Sequence, residues 1–323
     1  MLASPATGSY ARRMKILRDY HFVDPDDRGA SAAIGNFDGV HLGHQSVIDL
    51  ARSAAAGAPL GVLTFEPHPR AFFAPDAPPF RLMSREARAS RLEKLGVQYL
   101  FELNFNQGLA ALTPREFAQR VITDGFGLSH VIVGADFCFG KGRSGTAQDL
   151  QQFGSEMGFD VTIAPLLEQS DTTVSSTAIR RALSDGKPRL AAQMLGHWHR
   201  IEGPVISGEQ RGRELGYPTA NMSIDGLHPP AFGVYAVLVD VLSGPHQGSY
   251  HGVASLGVRP MFGENRPNLE TFIFDFSGDL YDAPLSVGLI EHLRPEAKFD
   301  GLDALIAQMD SDSAQARAIL AAL

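Results

Sequence analysis

Two histidines, three residues apart, follow a glycine-rich turn in Ile34-Gly35-Asn36-Phe37-Asp38-Gly39-Val40-His41-Leu42-Gly43-His44. Glycines let the backbone turn sharply and approach a ligand closely. If a helix begins here, its free N–H groups and partial positive charge make a phosphate site. His41 and His44 would then point the same way and offer two donors to phosphate oxygens during nucleotidyl transfer. The bland alternative is a solvated pair of histidines. Zinc is another, but a catalytic zinc site takes three protein ligands and no third stands at motif spacing.

A second segment, Val174-Ser175-Ser176-Thr177-Ala178-Ile179-Arg180, reads as a hydroxyl-capped helix start. Arg180 lies four residues after Ser176 and three after Thr177, so hydroxyls and guanidinium share a face that can hold phosphate. A plain serine cap with an exposed arginine is the simpler alternative. Further on, the stretch from Gly203 to Asn221 is dense in Gly and Arg, including Gly208, Arg211, Gly212 and Arg213. Such a loop can wrap phosphates, and the Thr219 hydroxyl and Asn221 carbonyl are oxygen ligands suited to Mg²⁺. An exposed basic hairpin loop would look much the same. Glu270 stands in alternating phase with Phe272, Phe274 and Phe276, and a carboxylate on an apolar face is costly unless paired or functional.

The elements that must position these groups fall into two kinds. From about residue 30 to 185, apolar runs at Ser31–Ile34, Leu60–Phe65, Gln98–Leu103, His130–Val133 and Phe159–Ala164 alternate with helical patterns. Val47, Leu50, Ala51 and Ala54 share one such helical face, and Thr113-Pro114-Arg115-Glu116 reads as a capping box. The alternation implies a parallel sheet with helices on both faces and ligands at the carboxyl ends of the strands. From about 198 the period shortens to two (Val234, Ala236, Leu238), with Gly- and Pro-rich turns between runs, as in a small antiparallel barrel. Helix returns at the end, where Asp300 can cap a segment bearing Leu302, Leu305, Ile306 and Met309. The boundary is expected near Ser184–Pro188, giving domains 1–186 and 187–323.

The 323 residues suffice for two cores, and 28 Lys and Arg against 36 Asp and Glu leave a net charge of −8. That balance gives no general attraction to nucleic acid or anionic lipid. No run is long enough for a membrane span, and the N-terminal stretch lacks the apolar core of a secretory signal, so a cytoplasmic location is expected. The single cysteine, Cys138, cannot form an internal disulfide. Gly140 to Gly145 fits the dinucleotide GxGxxG pattern, but the preceding apolar run ends several residues too early.

The segments GNFDGVHLGH, TFEPHP (Thr64 to Pro69), GADFCFG (Gly134 to Gly140) and VSSTAIR resemble the nucleotidyltransferase domain of the bacterial bifunctional riboflavin kinase/FAD synthetase family. The stretch from Gly203 through Pro218-Thr219-Ala220-Asn221, with Asn268-Leu269-Glu270-Thr271-Phe272, resembles that family's kinase signature. The resemblance implies a Rossmann-like N-terminal domain and a C-terminal β-barrel with a terminal helix. It implies ATP, riboflavin, FMN and FAD as ligands and Mg²⁺ as metal. His41 and His44 would bind ATP phosphates and stabilise the transition state, and Ser176, Thr177 and Arg180 would hold the triphosphate. Asn36, Asp38, His68 and Asp136, with Arg259 and Arg294 in the second half, fall within nucleotide or flavin pockets. Gly208, Arg211, Gly212 and Arg213 would wrap phosphates, Thr219 and Asn221 would hold Mg²⁺, and Glu270 would be the catalytic carboxylate. The chain departs from the family at Arg259-Pro260-Met261-Phe262, where Met261 replaces the usual threonine and removes a hydroxyl. Two rival readings are an adenylyltransferase whose barrel only recognises ligand, and a nucleic-acid module on an OB-like barrel; the second half's scattered arginines and single tryptophan favour neither a basic nor an aromatic surface.

Overall fold

The structure is a computed structural model that describes residues 13–54, 57–165, 168–169, 172–208, 216–261 and 264–323. Side chains of 168–169, 172–173, 259–261 and 264–265 are outside the description. The chain forms two compact units. The first comprises Met1–Phe37, His44–Pro75 and Ala89–Leu166; the second comprises Asp38–Gly43, Asp76–Arg88 and Leu167–Leu323.

In chain order the elements of the first half are β1 (Lys15–Leu17), β2 (Ser31–Ile34), α1 (Leu42–Ala54), β3 (Leu60–Glu66), α2 (Pro69–Phe73), α3 (Arg85–Lys94), β4 (Tyr99–Asn104), α4 (Gln107–Ala111), α5 (Pro114–Phe117), β5 (His130–Gly134), β6 (Cys138–Phe139), β7 (Gly145–Thr146), α6 (Ala147–Met157) and β8 (Asp160–Ala164). Six of these strands form a parallel sheet in the order β1-β4-β3-β2-β5-β8. All four residues of β2 are buried, as expected of a parallel strand covered on both faces. Successive strands leave β2 first toward β3 and β4, then restart at β5 on its other side. The carboxyl end of β2 is therefore the point where the chain order reverses, the usual ligand crevice of an open α/β sheet.

The expected strands all form, each within a residue of its anticipated ends, and β1 is an addition. Thr113 makes the anticipated capping box with Glu116. The stripe on α1 is corrected: Ile48 and Ala51 are its buried residues, while Ala54 is exposed. The covered face runs through Ile48 and Ala51, three residues apart, so Val47 and Leu50 lie half-buried at its edges.

The second half continues with short strands β9 (Glu168–Gln169) and β10 (Thr172–Thr173), then α7 (Ser176–Ser184), α8 (Pro188–Leu195), β11 (Arg200–Pro204), β12 (Thr219–Ser223), β13 (Gly233–Val241), β14 (Gly248–Met261), β15 (Glu264–Ile273), β16 (Pro284–Arg294) and α9 (Leu302–Ala321). The stretch Ser184–Pro188 is the turn between α7 and α8, which pack together through Ile179, Leu183, Ala191 and Leu195. Strands β11-β16-β13-β14-β15-β12 pair antiparallel, and the Ile206–Asn221 bridge brings the two ends together into a nearly closed barrel. Tyr235, Val237, Leu269 and Ile273 fill its interior, while Val234, Ala236, Phe274 and Ala316 make a second apolar layer under α9. Gly301, not Asp300, occupies the N-cap of α9 and makes no side-chain cap.

Candidate active site

The GNFDGVHLGH turn leaves β2 at the switch point, with Phe37 (φ 51°), Gly39 (φ 89°) and Val40 (φ 42°) in the left-handed region. For phenylalanine and a β-branched valine this is costly, on the order of 1–3 kcal/mol each, and such strain concentrates at functional sites. At Gly39 any side chain would be strained by the φ of 89°, and its Cβ would press on Leu82 Cδ1 at 2.8 Å.

Asp38 organises the loop from inside the second unit. Its buried carboxylate accepts from the Leu82 N–H (2.8 Å) and from Arg180 Nη2 (2.5 Å), with Arg81 Nε at 3.8 Å. Its carbonyl accepts from Ser176 Oγ (2.9 Å). Arg180 also donates from Nε to the Phe80 carbonyl (2.5 Å) and lies over the Phe80 ring. The guanidinium is thus oriented by protein acceptors on one edge, and Ser175, not Ser176, is the N-cap of α7.

His41 directly precedes α1, and His44 sits in its first turn. The His41 ring folds over Gly43, where a Cβ would come within 3.2 Å of Cε1 and Nδ1, so the glycine of His-Leu-Gly-His makes room for it. Burial, reinforced by the Arg180 cation, depresses the His41 pKa to about 4. His41 is therefore neutral at pH 7, with one ring N–H available to donate. In the first unit the His44 ring packs 5.0 Å from Phe37. Asn36, His68 and Asp136 follow the carboxyl ends of β2, β3 and β5 respectively. Asn36 and Asp136 are exposed, whereas His68 is buried as the N-cap of α2, its Nδ1 accepting from the Arg70 N–H (3.0 Å). Among the described residues no three of His, Cys, Asp or Glu gather as a group that could hold a metal ion.

In the barrel, antiparallel register places Asn221 directly opposite Glu270, Thr219 opposite Phe272, and Ser255 on the other side of Glu270. Opposed residues share a face with Cβ atoms about 5 Å apart. Thr219, Asn221, Glu270 and Arg294 line one cavity of about 680 Å³ between the outer barrel surface and α9, with Phe272, Leu305 and Met309 supplying apolar wall. Asn221 is fixed at both ends of its amide: Oδ1 accepts from Asn268 Nδ2 (2.8 Å), and Nδ2 donates to the Thr219 carbonyl (3.4 Å). Gly208 lies against it, where a Cβ would be 2.4 Å from Nδ2. Arg294 spends Nε and Nη2 on Asp312 (3.0 and 2.7 Å), so it braces α9 against β16. Phe276 departs from the expected phenylalanine face: β15 ends at Ile273, Asp275 turns through φ 56°, and Phe276 joins the barrel-interior cluster. Arg211, Gly212 and Arg213 lie outside the described residues, and of Arg259 and Met261 only the backbone is described.

Models of two families match the chain: FAD synthetase over residues 23–178 and riboflavin kinase over 195–320. The bifunctional riboflavin kinase/FMN adenylyltransferase of Pseudomonas fluorescens is 42% identical over 95% of this chain and 98% of its own length. This chain belongs to the bifunctional riboflavin kinase/FMN adenylyltransferase family. The relative of that name from Escherichia coli K12 is 37% identical over 94% of this chain and 97% of its own. The crystal structure of a macrolide-efflux protein from Streptococcus pneumoniae has a TM-score of 0.80 at 32% identity, covering 93% of this chain and 97% of that one. Among the described residues no helix is long and apolar enough to cross a membrane.

Membership of the bifunctional family draws attention to groups that spacing alone did not reveal. Phe65, near the carboxyl end of β3, meets Phe105 edge to face, as do Phe72 and Phe73 from α2, and Phe73 is 68% exposed. The adjacent pair Phe72-Phe73 after TFEPHP was the available signal. Asn268 gave none, because its role depends on the register of β15 against β12.

Proposed function

We propose that residues 187–323 phosphorylate riboflavin to FMN with ATP, and that residues 1–186 then transfer AMP from ATP to FMN, giving FAD and pyrophosphate. The observation that carries this reading is the juxtaposition of Glu270 and Asn221 across one pair of strands in a cavity of flavin size. Thr219 and Asn221 present oxygen donors on the same face, and the Asn221 oxygen keeps a lone pair beyond the one used by Asn268. That donor set fits a hard cation, and Thr219 and Asn221 would hold Mg²⁺ together with ATP phosphates. Bound Mg²⁺ offsets the negative charge of the triphosphate. Glu270 accepts the proton of the riboflavin 5′-hydroxyl as that oxygen attacks the γ-phosphorus and ADP leaves, a role worth about 10²- to 10⁴-fold in rate.

For adenylyl transfer, an FMN phosphate oxygen attacks the α-phosphorus of ATP and pyrophosphate leaves. His41 and His44 donate to the phosphate oxygens, and Ser176, Thr177 and Arg180 hold the triphosphate at the start of α7. Asp38 acts through Arg180 by fixing its guanidinium. The exposed ring of Phe73 offers an apolar face for the flat isoalloxazine.

Purified protein incubated with riboflavin and Mg-ATP should yield FMN and then FAD, resolved chromatographically. Absence of both products under oxidised and reduced flavin conditions would contradict the assignment. Phe73→Ala should raise the KM for FMN several-fold, roughly the loss of one aromatic contact, with a smaller change in kcat. An unchanged KM would remove Phe73 from the flavin site.

A further inference from the structure

The connection between β12 and β13 belongs to the barrel, yet its hydrogen bonds run to the segment that orients Arg180. Leu227 bridges Arg81 in parallel, and the His228 N–H donates to the Arg81 carbonyl (2.7 Å). The residues on either side of Arg81 are the ones that place the guanidinium partners: the Phe80 carbonyl accepts from Arg180 Nε, and the Leu82 N–H holds Asp38. The same connection also reaches α7 itself. The Ala231 N–H donates to the Leu183 carbonyl (2.9 Å), one of the last carbonyls of the helix, which lack intrahelical partners. His228 Nε2 lies 3.0 Å from the Arg180 carbonyl and 2.9 Å from Ser184 Oγ. A carbonyl only accepts, so the imidazole proton must sit on Nε2.

We propose that His228 is a positioning residue for adenylyl transfer: the barrel's β12–β13 connection holds residues 80–82 and the far end of α7, and through them fixes the Arg180 guanidinium. The inference rests on the reading of Arg180 as a triphosphate ligand. Its physical basis is that the guanidinium has two protein acceptors, and both are tied to the strap that the connection clamps. A misplacement of about 1 Å at such a group costs on the order of 10²-fold in rate, so a clamp outside the site has leverage on it. The consequence is that the adenylyl-transfer site depends on a loop of the kinase half, while the kinase cavity makes no use of His228.

The test uses the full chain, assaying adenylylation of added FMN and phosphorylation of riboflavin separately. His228→Ala should raise the KM for ATP in adenylylation by roughly tenfold, the worth of one lost hydrogen bond, with kcat less affected. Riboflavin phosphorylation should stay within about twofold, since half-buried His228 does not line that cavity. His228→Gln, whose amide N–H can reach the Arg180 carbonyl, should restore most of the loss. If His228→Ala does not fold, His228→Phe keeps the ring volume without the donor and takes its place. Unchanged adenylylation, equal loss of both activities, or failure of glutamine to rescue would each overturn the proposal. Arg180→Ala separates the two levels. If it adenylylates FMN like wild type, the reading of Arg180 is wrong; if it is impaired while the His228 variants are silent, only the clamp is wrong.

Discussion

Asn221 is held at both ends of its amide, and its neighbour Gly208 is the most sensitive point of that arrangement. A methyl at 208 would sit 2.4 Å from Asn221 Nδ2 and 2.6 Å from Cγ, closer than any real contact. Gly208→Ala must therefore push the amide off its position opposite Glu270. The expected result is a roughly 10- to 100-fold fall in kcat/KM for riboflavin phosphorylation, with adenylylation of added FMN unchanged. Wild-type kinetics would mean that Asn221 placement does not matter. His41 supports a prediction of another kind. With burial and Arg180 holding its pKa near 4, it has no proton to lose between pH 6 and 8. The kcat/KM for adenylylation should show no limb near pH 6.5 that disappears in His41→Asn; finding one would show that His41 works as a cation.

Helix α9 is held to the barrel by a buried carboxylate. Asp312 accepts from Arg294 Nε and Nη2 and from Gln308 Nε2 (2.9 Å), and closes the cavity that holds Glu270. Asp312→Ala leaves Arg294 half-buried and unpaired, so chemical denaturation should show a loss of about 3 kcal/mol. A loss under 1 kcal/mol would mean that α9 docks by its apolar stripe alone. At this scale much was legible in advance. Parallel strands buried on both faces read as short apolar runs, which is why β2, β3, β4 and β5 could be seen, while the edge strand β8 showed through Val161, Ile163 and Ala164. Strand β1 could not, because three residues carry no period and its pairing with β4 is purely tertiary. The start of α9 misled, since Asp300 has the chemistry of a cap while Gly301 (φ 129°) takes the position. Among the candidate site residues, spacing singled out His41 and Arg180, and the resemblance singled out Asn221 and Glu270. Neither could tell that Arg294 is turned onto Asp312 or that His68 is spent as a helix cap, because both depend on partners distant in sequence or on local backbone geometry.

Two buried histidines couple the stability of the whole chain to pH. His199 is pushed down to about 3, by burial first and then by His197 and His228, and His41 to about 4. In the unfolded chain both titrate near 6.5. Protons therefore bind the unfolded state first as pH falls, so stability is full above about pH 6.5 and declines toward pH 4. The His41 contribution alone amounts to about 3 kcal/mol over that window. The urea midpoint should drop across it, and His41→Asn should flatten the slope; a midpoint independent of pH would refute the buried neutral state. One chain carries two separate phosphate chemistries. The most direct measurement compares products from riboflavin and Mg-ATP, and from FMN and Mg-ATP, for two folded variants. His41→Ala with His44→Ala should still make FMN but no FAD, whereas Glu270→Ala should make no FMN yet convert added FMN to FAD. Loss of both products in either folded variant would contradict it.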